Sequence, residues 1–221
     1  MEDNELDLND QQLVRRAKLG DLRSSGIDPY PQRLPWPRTH TAQAALAGYA
    51  AGELGPEDLV GLAGRMMSVR VMGKAAFAHI EDGTGRVQVH LRRDLLGEQA
   101  YDDFFRRLVD LGDFIAVQGP MFTTRTGEVT CEVRQIALLS KTLNPMPDKW
   151  HGLKDVETRY RQRYVDLLAN PEVRTVFQTR ARLVAAIRQY LDANGFLEVE
   201  TPVLQPIYGG AAARPFTTHH N

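Results

Sequence analysis

The stretch Ala76-Phe77-Ala78-His79-Ile80-Glu81-Asp82-Gly83-Thr84-Gly85-Arg86-Val87-Gln88-Val89-His90-Leu91 decides the fold. Apolar residues fill every second position on both sides of Asp82-Gly83-Thr84-Gly85, the period of a half-buried strand. The Asp-Gly-Thr-Gly run between them reads as a hairpin turn. Upstream, Met67, Val69 and Val71 alternate with Ser68, Arg70 and Met72, which predicts a first strand with its apolar side chains turned to the core. Downstream, Leu96, Ala100, Tyr101, Phe104, Phe105 and Leu108 are spaced for one helix face. Two further strands, residues 114–122 and 128–139, are joined by Thr124-Arg125-Thr126-Gly127. Three strands, a helix and two strands are the element order of an OB-fold, the five-stranded Greek-key barrel that binds oligonucleotides and oligosaccharides.

The flanks extend this into an α+β chain. Leu13, Val14, Ala17 and Leu22 give an amphipathic N-terminal helix at 3.6 spacing, and Pro29, Pro31, Pro35 and Pro37 follow as an extended strap. A short helix is expected around 42–51. Residues 141–160, with Pro145 and Pro147, read as a linker leading into a helix over 159–168. Asn170-Pro171-Glu172 is a complete helix start, with Asn as N-cap and Pro at the first turn. Val173, Val176, Phe177, Val184, Ile187 and Leu191 supply its apolar stripe, expected to be buried, and Asn194-Gly195 its stop. Phe196-Leu197-Glu198-Val199-Glu200-Thr201-Pro202 then reads as a strand. The expected divisions are an extension over 1–60, the barrel over 61–141, a linker and helix over 142–169, and the start of another domain over 170–221.

Composition excludes several classes. No apolar run approaches the ~18–20 residues of a membrane span. The N-terminus MEDNELDLNDQQ lacks the apolar core of a signal peptide, and the single Cys131 cannot form an internal disulfide. A reducing, cytoplasmic setting is the expectation. His40, His79, His90 and His151 are scattered and have no zinc spacing, so no metal site is expected. There is no phosphate-binding Gly-Lys-Ser/Thr loop and no Ser/His/Asp set. Residues 149–188 carry nine Lys/Arg against four Asp/Glu, so this block is the one basic surface, either solvated or in contact with phosphate.

Candidate chemistry lies on the barrel's outer face. Phe77 and His79 on one strand, Arg86, Gln88 and His90 on the next, and Arg70 on the first project away from the core. A ring, amides and cations are the groups that read unpaired bases. The plainer reading is that Phe77 packs under the N-terminal helix and the polar groups are ordinary surface. Glu198 and Glu200 share a strand face and read as interface ion-pairing residues rather than an acid/base pair.

These residues resemble the class II lysyl-tRNA synthetases over most of the chain. The resemblance rests on Gly64-Arg65-Met66-Met67 through Met72-Gly73-Lys74-Ala75-Ala76-Phe77, and on Asp148-Lys149-Trp150-His151-Gly152-Leu153. It rests also on Arg159-Tyr160-Arg161-Gln162-Arg163-Tyr164-Val165-Asp166-Leu167, and on Gly209-Gly210-Ala211-Ala212-Ala213-Arg214-Pro215-Phe216. The last of these separates the chain from the related aspartyl and asparaginyl enzymes. The resemblance implies that the barrel binds the anticodon of lysine tRNA, which is U-rich in the family, through Phe77, Gln88, Arg70 and Glu128. It implies that Gly209 and Gly210 lie beside the substrate lysine. The helix 171–194 and the following strand would be motif 1, the homodimer interface, with Gly195, Phe196, Glu198, Val199, Glu200 and Pro202 in it.

The implied reaction uses ATP and Mg²⁺. The lysine carboxylate attacks the α-phosphate, pyrophosphate leaves, and the tRNA's 3′-terminal adenosine takes the lysyl group. The family's Phe-Arg-x-Glu and Gly-x-Gly-x-x-Arg signatures are absent from the 221 residues. The expectation is therefore an N-terminal portion with no catalytic residue of its own and no aminoacylation alone. The alternative is a stand-alone OB-fold module for tRNA or single-stranded nucleic acid, with a dimerisation tail.

Overall fold

The computed structural model describes residues 9–147, 153–202, 216, 218 and 219. The chain divides into two compact units, Met1–Met146 and Pro147–Asn221.

In the first unit, β1 (Val60–Met72), β2 (Ala75–Glu81) and β3 (Arg86–Arg92) form an antiparallel meander. The period-two reading holds on β2 and β3, where Ala76, Ala78, Ile80, Val87, Val89 and Leu91 are all buried. Asp82 builds the turn between them: its carboxylate accepts from the Thr84 and Gly85 amides and the Thr84 hydroxyl. It also accepts from the Ala42 amide at the start of the second helix. Burial pushes the Asp82 carboxyl up, but these hydrogen bonds outweigh it and hold the group below the usual carboxylate range.

β1 departs from the expectation. Its core positions are Val60, Leu62 and Met66. The register with β2 then shifts between Met66 and Ser68, leaving Met67 in a bulge. Val69 and Val71 do pair with the core-facing Ala78 and Ala76. The other neighbour of β1 stops at Arg65, however, so no strand among the described residues flanks them on that side and they are 36% and 44% exposed.

The two later strands are each broken, so five expected strands become seven in a mixed sheet that does not close into a barrel. β4 (Phe114–Gly119) and β5 (Met121–Thr123) are separated by Pro120, which has no amide N–H to donate to a ladder. β6 (Val129–Glu132) and β7 (Gln135–Ser140) are separated by a bend. The order is β5-β6-β3-β2-β1-β4-β7, with β3 and β6 parallel. The bend stays tied across the breaks. The Glu132 amide donates to the Pro120 carbonyl and the Arg134 amide to the Gln118 carbonyl, both at 2.8 Å, and the Val133 amide donates to His90 at 2.9 Å.

The helix expected over 96–108 is two pieces, α3 (Arg93–Leu96) and a π-helix. The π-helix, Gln99–Arg106, buries Tyr101 and Phe105. The Tyr101 hydroxyl donates to the Gly73 carbonyl at 3.1 Å. The N-terminal helices are α1 (Asp10–Ser24) and α2 (Ala42–Ala50). Asn9 and Gln12 form a capping box at the start of α1.

Of the expected apolar stripe of α1 only Leu22 packs. Leu13, Val14 and Ala17 are exposed, and the buried residues are Leu22 and Arg15. The Arg15 guanidinium donates to the Thr142 and Leu111 carbonyls at 2.9 Å, which satisfies the charge it buries.

In the second unit, the helix expected over 159–168 breaks at Gln162 into α4 (Val156–Arg161) and α5 (Arg163–Ala169). Buried Asp166 accepts from Arg159 at 2.7 Å, from Arg163, and from the Asn170 amide at 2.7 Å. Asn170 is thereby drawn away from the N-cap role expected of its side chain. α6 (Pro171–Ala193) matches the long helix, but its stripe is not buried. Val176, Phe177, Val184, Ile187 and Leu191 are all more than a third exposed. The strand expected over 196–202 is also not formed: among the described residues the segment pairs with no strand.

Candidate nucleic-acid interface

The outward positions of β2 and β3 set the site. Phe77 and His90 are direct partners in the ladder, and their rings stack with centroids 4.2 Å apart and planes 5° apart. Phe122, on β5, leans against His90 at 5.9 Å. Phe77 therefore packs on its own sheet and lines an open cleft, against the plainer reading that placed it under α1. Burial, and then the nearby Arg92 guanidinium, hold the His90 imidazole below its usual range, so at neutral pH this stack is uncharged. The buried His90 Nδ1 has no hydrogen-bond partner among the described residues.

Arg70 pairs with Phe77 from β1, because the Met67 bulge returns it to the outer face. Gln88 pairs with His79 on one side and Thr130 on the other. Glu128 arrives from the turn before β6, which Thr124 holds shut: the Thr124 amide donates to the Glu128 carbonyl at 3.0 Å. The Glu128 carboxylate then accepts from Gln88 Nε2 at 2.6 Å and meets His79 Nε2 at 2.8 Å. The Thr130 hydroxyl donates to Gln88 Oε1 at 2.7 Å.

The four residues that the resemblance implies, Arg70, Phe77, Gln88 and Glu128, thus line one cleft of about 530 Å³ with His90, while His79 stands behind it on Glu128 and Arg86 pairs with Glu81. Phe122, Arg125 and Thr126 line it too and were not singled out. Phe122 could have been found by continuing the period of two from the buried Met121. Arg125 and Thr126 had only a turn signal.

The other expected sites fare differently. Gly209 and Gly210 lie outside the described residues. Gly195 follows α6 with φ +81°, the left-handed position that glycine takes at a helix end. Phe196 and Val199 are 64% and 67% exposed, and Glu200 and Pro202 are exposed as well. Glu198 accepts from Arg188 at 2.9 Å within the chain. Among the described residues no three His, Cys, Asp or Glu side chains converge to hold a metal ion. No helix among them is long and apolar enough to cross a membrane.

Comparison with known proteins agrees with this geometry. Residues 60–139 match the family described as OB-fold nucleic acid binding domain, and residues 155–221 match tRNA synthetases class II (D, K and N). The chain is 55% identical over 217 residues to a lysine–tRNA ligase of Pelotomaculum thermopropionicum, covering 98% of this chain and 42% of that protein. It is 52% identical to that of Roseiflexus castenholzii, over 98% of this chain and 44% of the relative. For the enzyme of Bacillus cytotoxicus the identity is 49%, over 99% and 44%. The chain therefore spans about two-fifths of the length of these relatives. Over nearly its whole length the chain is therefore similar to the N-terminal portion of lysine–tRNA ligases, an OB-fold nucleic-acid-binding domain followed by the start of a class II synthetase domain.

Proposed function

We propose that this chain is the tRNA-recognising portion of a cytoplasmic lysine–tRNA ligase. The complete enzyme would form lysyl-adenylate from lysine and ATP and transfer the lysyl group to tRNA. Here the β2–β3 face would hold the U-rich anticodon. The observation that carries the reading is the convergence of Phe77, Gln88, Arg70 and Glu128 on one cleft. Phe77 offers a ring face to a base. Gln88 has a second amide N–H, Glu128 has remaining carboxylate lone pairs, and Arg70 brings further donors. Donor, acceptor and donor in that order complement the O4, N3–H and O2 edge of uracil, whereas cytosine offers a donor at the first position.

Adenylation belongs to the complete enzyme in this reading. Class II synthetases use ATP and Mg²⁺, and among the described residues no three His, Cys, Asp or Glu side chains converge to hold the metal. Gly209 and Gly210 are assigned to the lysine site on the same family grounds.

The test is binding of an anticodon stem-loop with a lysine anticodon to the wild-type chain and to Phe77→Ala. Loss of one base–aromatic stack, about 1–3 kcal/mol, should weaken binding roughly 5- to 150-fold. An affinity equal to wild type would remove this face from the interface.

The exposed stripe of α6 with Phe196 and Val199 is proposed as the contact with a second copy, joined by Gly195, Glu198, Glu200 and Pro202. Contiguous apolar surface of this kind marks an interface. Light scattering on the eluting chain should give twice the 24.8 kDa chain mass. A monomer that persists at high concentration would count against it.

A further inference from the structure

We infer that His79 is a positioning residue for base recognition, holding Glu128 so that Gln88 shows the cleft an N–H and not its carbonyl. The inference rests on the proposed anticodon reading and deepens it.

The argument starts from Glu128, whose ionised carboxylate can only accept hydrogen bonds. Both close partners must therefore donate to it. Gln88 has to turn its NH₂ towards Glu128 Oε2, which leaves its carbonyl oxygen for the Thr130 hydroxyl. His79 has to carry a proton on Nε2 to donate to Glu128 Oε1. In the neutral ring Nδ1 is then an acceptor, and the Ser68 hydroxyl, 2.8 Å away, donates to it. One acceptor-only group thus fixes the direction of the bonds that His79 and Gln88 make to it and, through Gln88, of the bond from Thr130.

Glu128 is itself weakly held. Its side chain is 46% exposed, and water would satisfy it equally well. Thr130 cannot fix the Gln88 amide by itself, because a hydroxyl donates or accepts. His79 is 30% exposed at its side chain, sits in the middle of β2, and is pinned from β1 by Ser68. It is therefore the rigid member that keeps Glu128 on Gln88. Without it, Glu128 can swing into solvent and the Gln88 amide can turn over, so that the cleft meets a donor such as the cytosine amino group as readily as a uracil oxygen.

The experiment uses the full chain and stem-loops carrying U or C at each anticodon position in turn. Wild type should prefer U at the position that Gln88 reads. His79→Ala should reduce that preference about tenfold, the scale of one hydrogen bond to a charged group. His79→Gln, whose amide N–H replaces Nε2–H, should restore most of it. A purely structural role for His79 would lower both affinities equally and leave the ratio unchanged, and that result overturns the inference. An RNA-free readout is long-range ¹H–¹⁵N NMR of the histidine rings. The neutral His79 ring should be protonated at Nε2, and protonation at Nδ1 instead would overturn the bond order. If wild type binds neither stem-loop, the anticodon reading falls and the His79 role with it. If wild-type selectivity survives His79→Ala, only the His79 role falls.

Discussion

Lys141→Ala should destabilise the first unit by about 3–5 kcal/mol, the usual effect of removing one partner of a buried ion pair. The Lys141 side chain is fully buried, and its ammonium donates to the Leu108 carbonyl, Asp110 and Asp113 at 2.8, 2.6 and 2.7 Å. Asp113 is fully buried too, and its remaining donors are the Asp110 and Thr142 amides. Burial raises the Asp113 carboxyl even with Lys141 present. At Asp110 burial also pushes upward, but hydrogen bonds from Lys141 and Lys18 outweigh it and leave that carboxyl lowered.

Removing Lys141 leaves the buried Asp113 carboxylate without its ion-pair partner, with Arg65 acting on it only through space. Measured against a domain stability of about 5–15 kcal/mol, this is enough to unfold a large share of the molecules on modest heating. The pH dependence follows from the direction at Asp113. A carboxyl raised in the folded state binds its proton more tightly there than in the unfolded chain. The variant should therefore regain stability as pH falls through the folded value towards the unfolded one near 3.9. The stability gap between wild type and variant, read from urea midpoints, should be widest at pH 7 and narrower near pH 4.5. Adding Asp113→Asn should also narrow it at pH 7. A gap that does not change with pH would mean the buried carboxylate is not the source of the loss.

What could be read from the sequence follows from how local each signal is. β2, the Asp82 turn and β3 were legible because burial there alternates without interruption, and with them came Phe77, Gln88 and His90 on the opposite face. β1 was only half legible. Its bulge at Met67 leaves the alternation intact on the page, while the neighbour that would cover Val69 and Val71 ends at Arg65. On α1 the apolar spacing pointed to Leu13, Val14, Ala17 and Leu22, but only Leu22 packs, alongside Arg15, satisfied by carbonyls 96 and 127 residues away. No local pattern announces such partners. For α6 the stripe was read correctly as apolar, but within one chain it is exposed, because its periodicity does not say whether a core or another surface covers it. In the site, Glu128 came from family resemblance alone, whereas Arg70 followed from the alternation of β1. Their convergence on Gln88 depends on the bulge and on the turn held by Thr124, neither of which has a sequence period.

The same dependence on a distant backbone crossing underlies the second large effect, expected for Gly119→Ala. A Cβ at Gly119 would lie 1.8 Å from the Glu132 carbonyl oxygen and 2.8 Å from its carbon. The obstacle is backbone, so no side-chain rotation relieves it. The two backbone segments must separate by more than an ångström where Glu132 N–H and Arg134 N–H bond across the Pro120 break. Overpacking typically costs about 1–3 kcal/mol, and losing those bonds adds to it, so a loss of about 3 kcal/mol or more is expected. Gly83→Ala, where an added methyl meets nothing within 4 Å, is the control and should unfold at nearly the wild-type urea midpoint.

The effect should reach the cleft, although Gly119 does not line it. β5 and β6 leave this crossing and carry Phe122, the Thr124–Glu128 turn and Thr130. Displacing their base moves Glu128 away from His79 and Gln88, which stay on β2 and β3. Under conditions where Gly119→Ala remains folded, the chain should therefore bind the lysine anticodon stem-loop more weakly than Gly83→Ala does. Equal binding by the two variants, with only stability changed, would show that the hairpin holds its position over β3 without the close crossing.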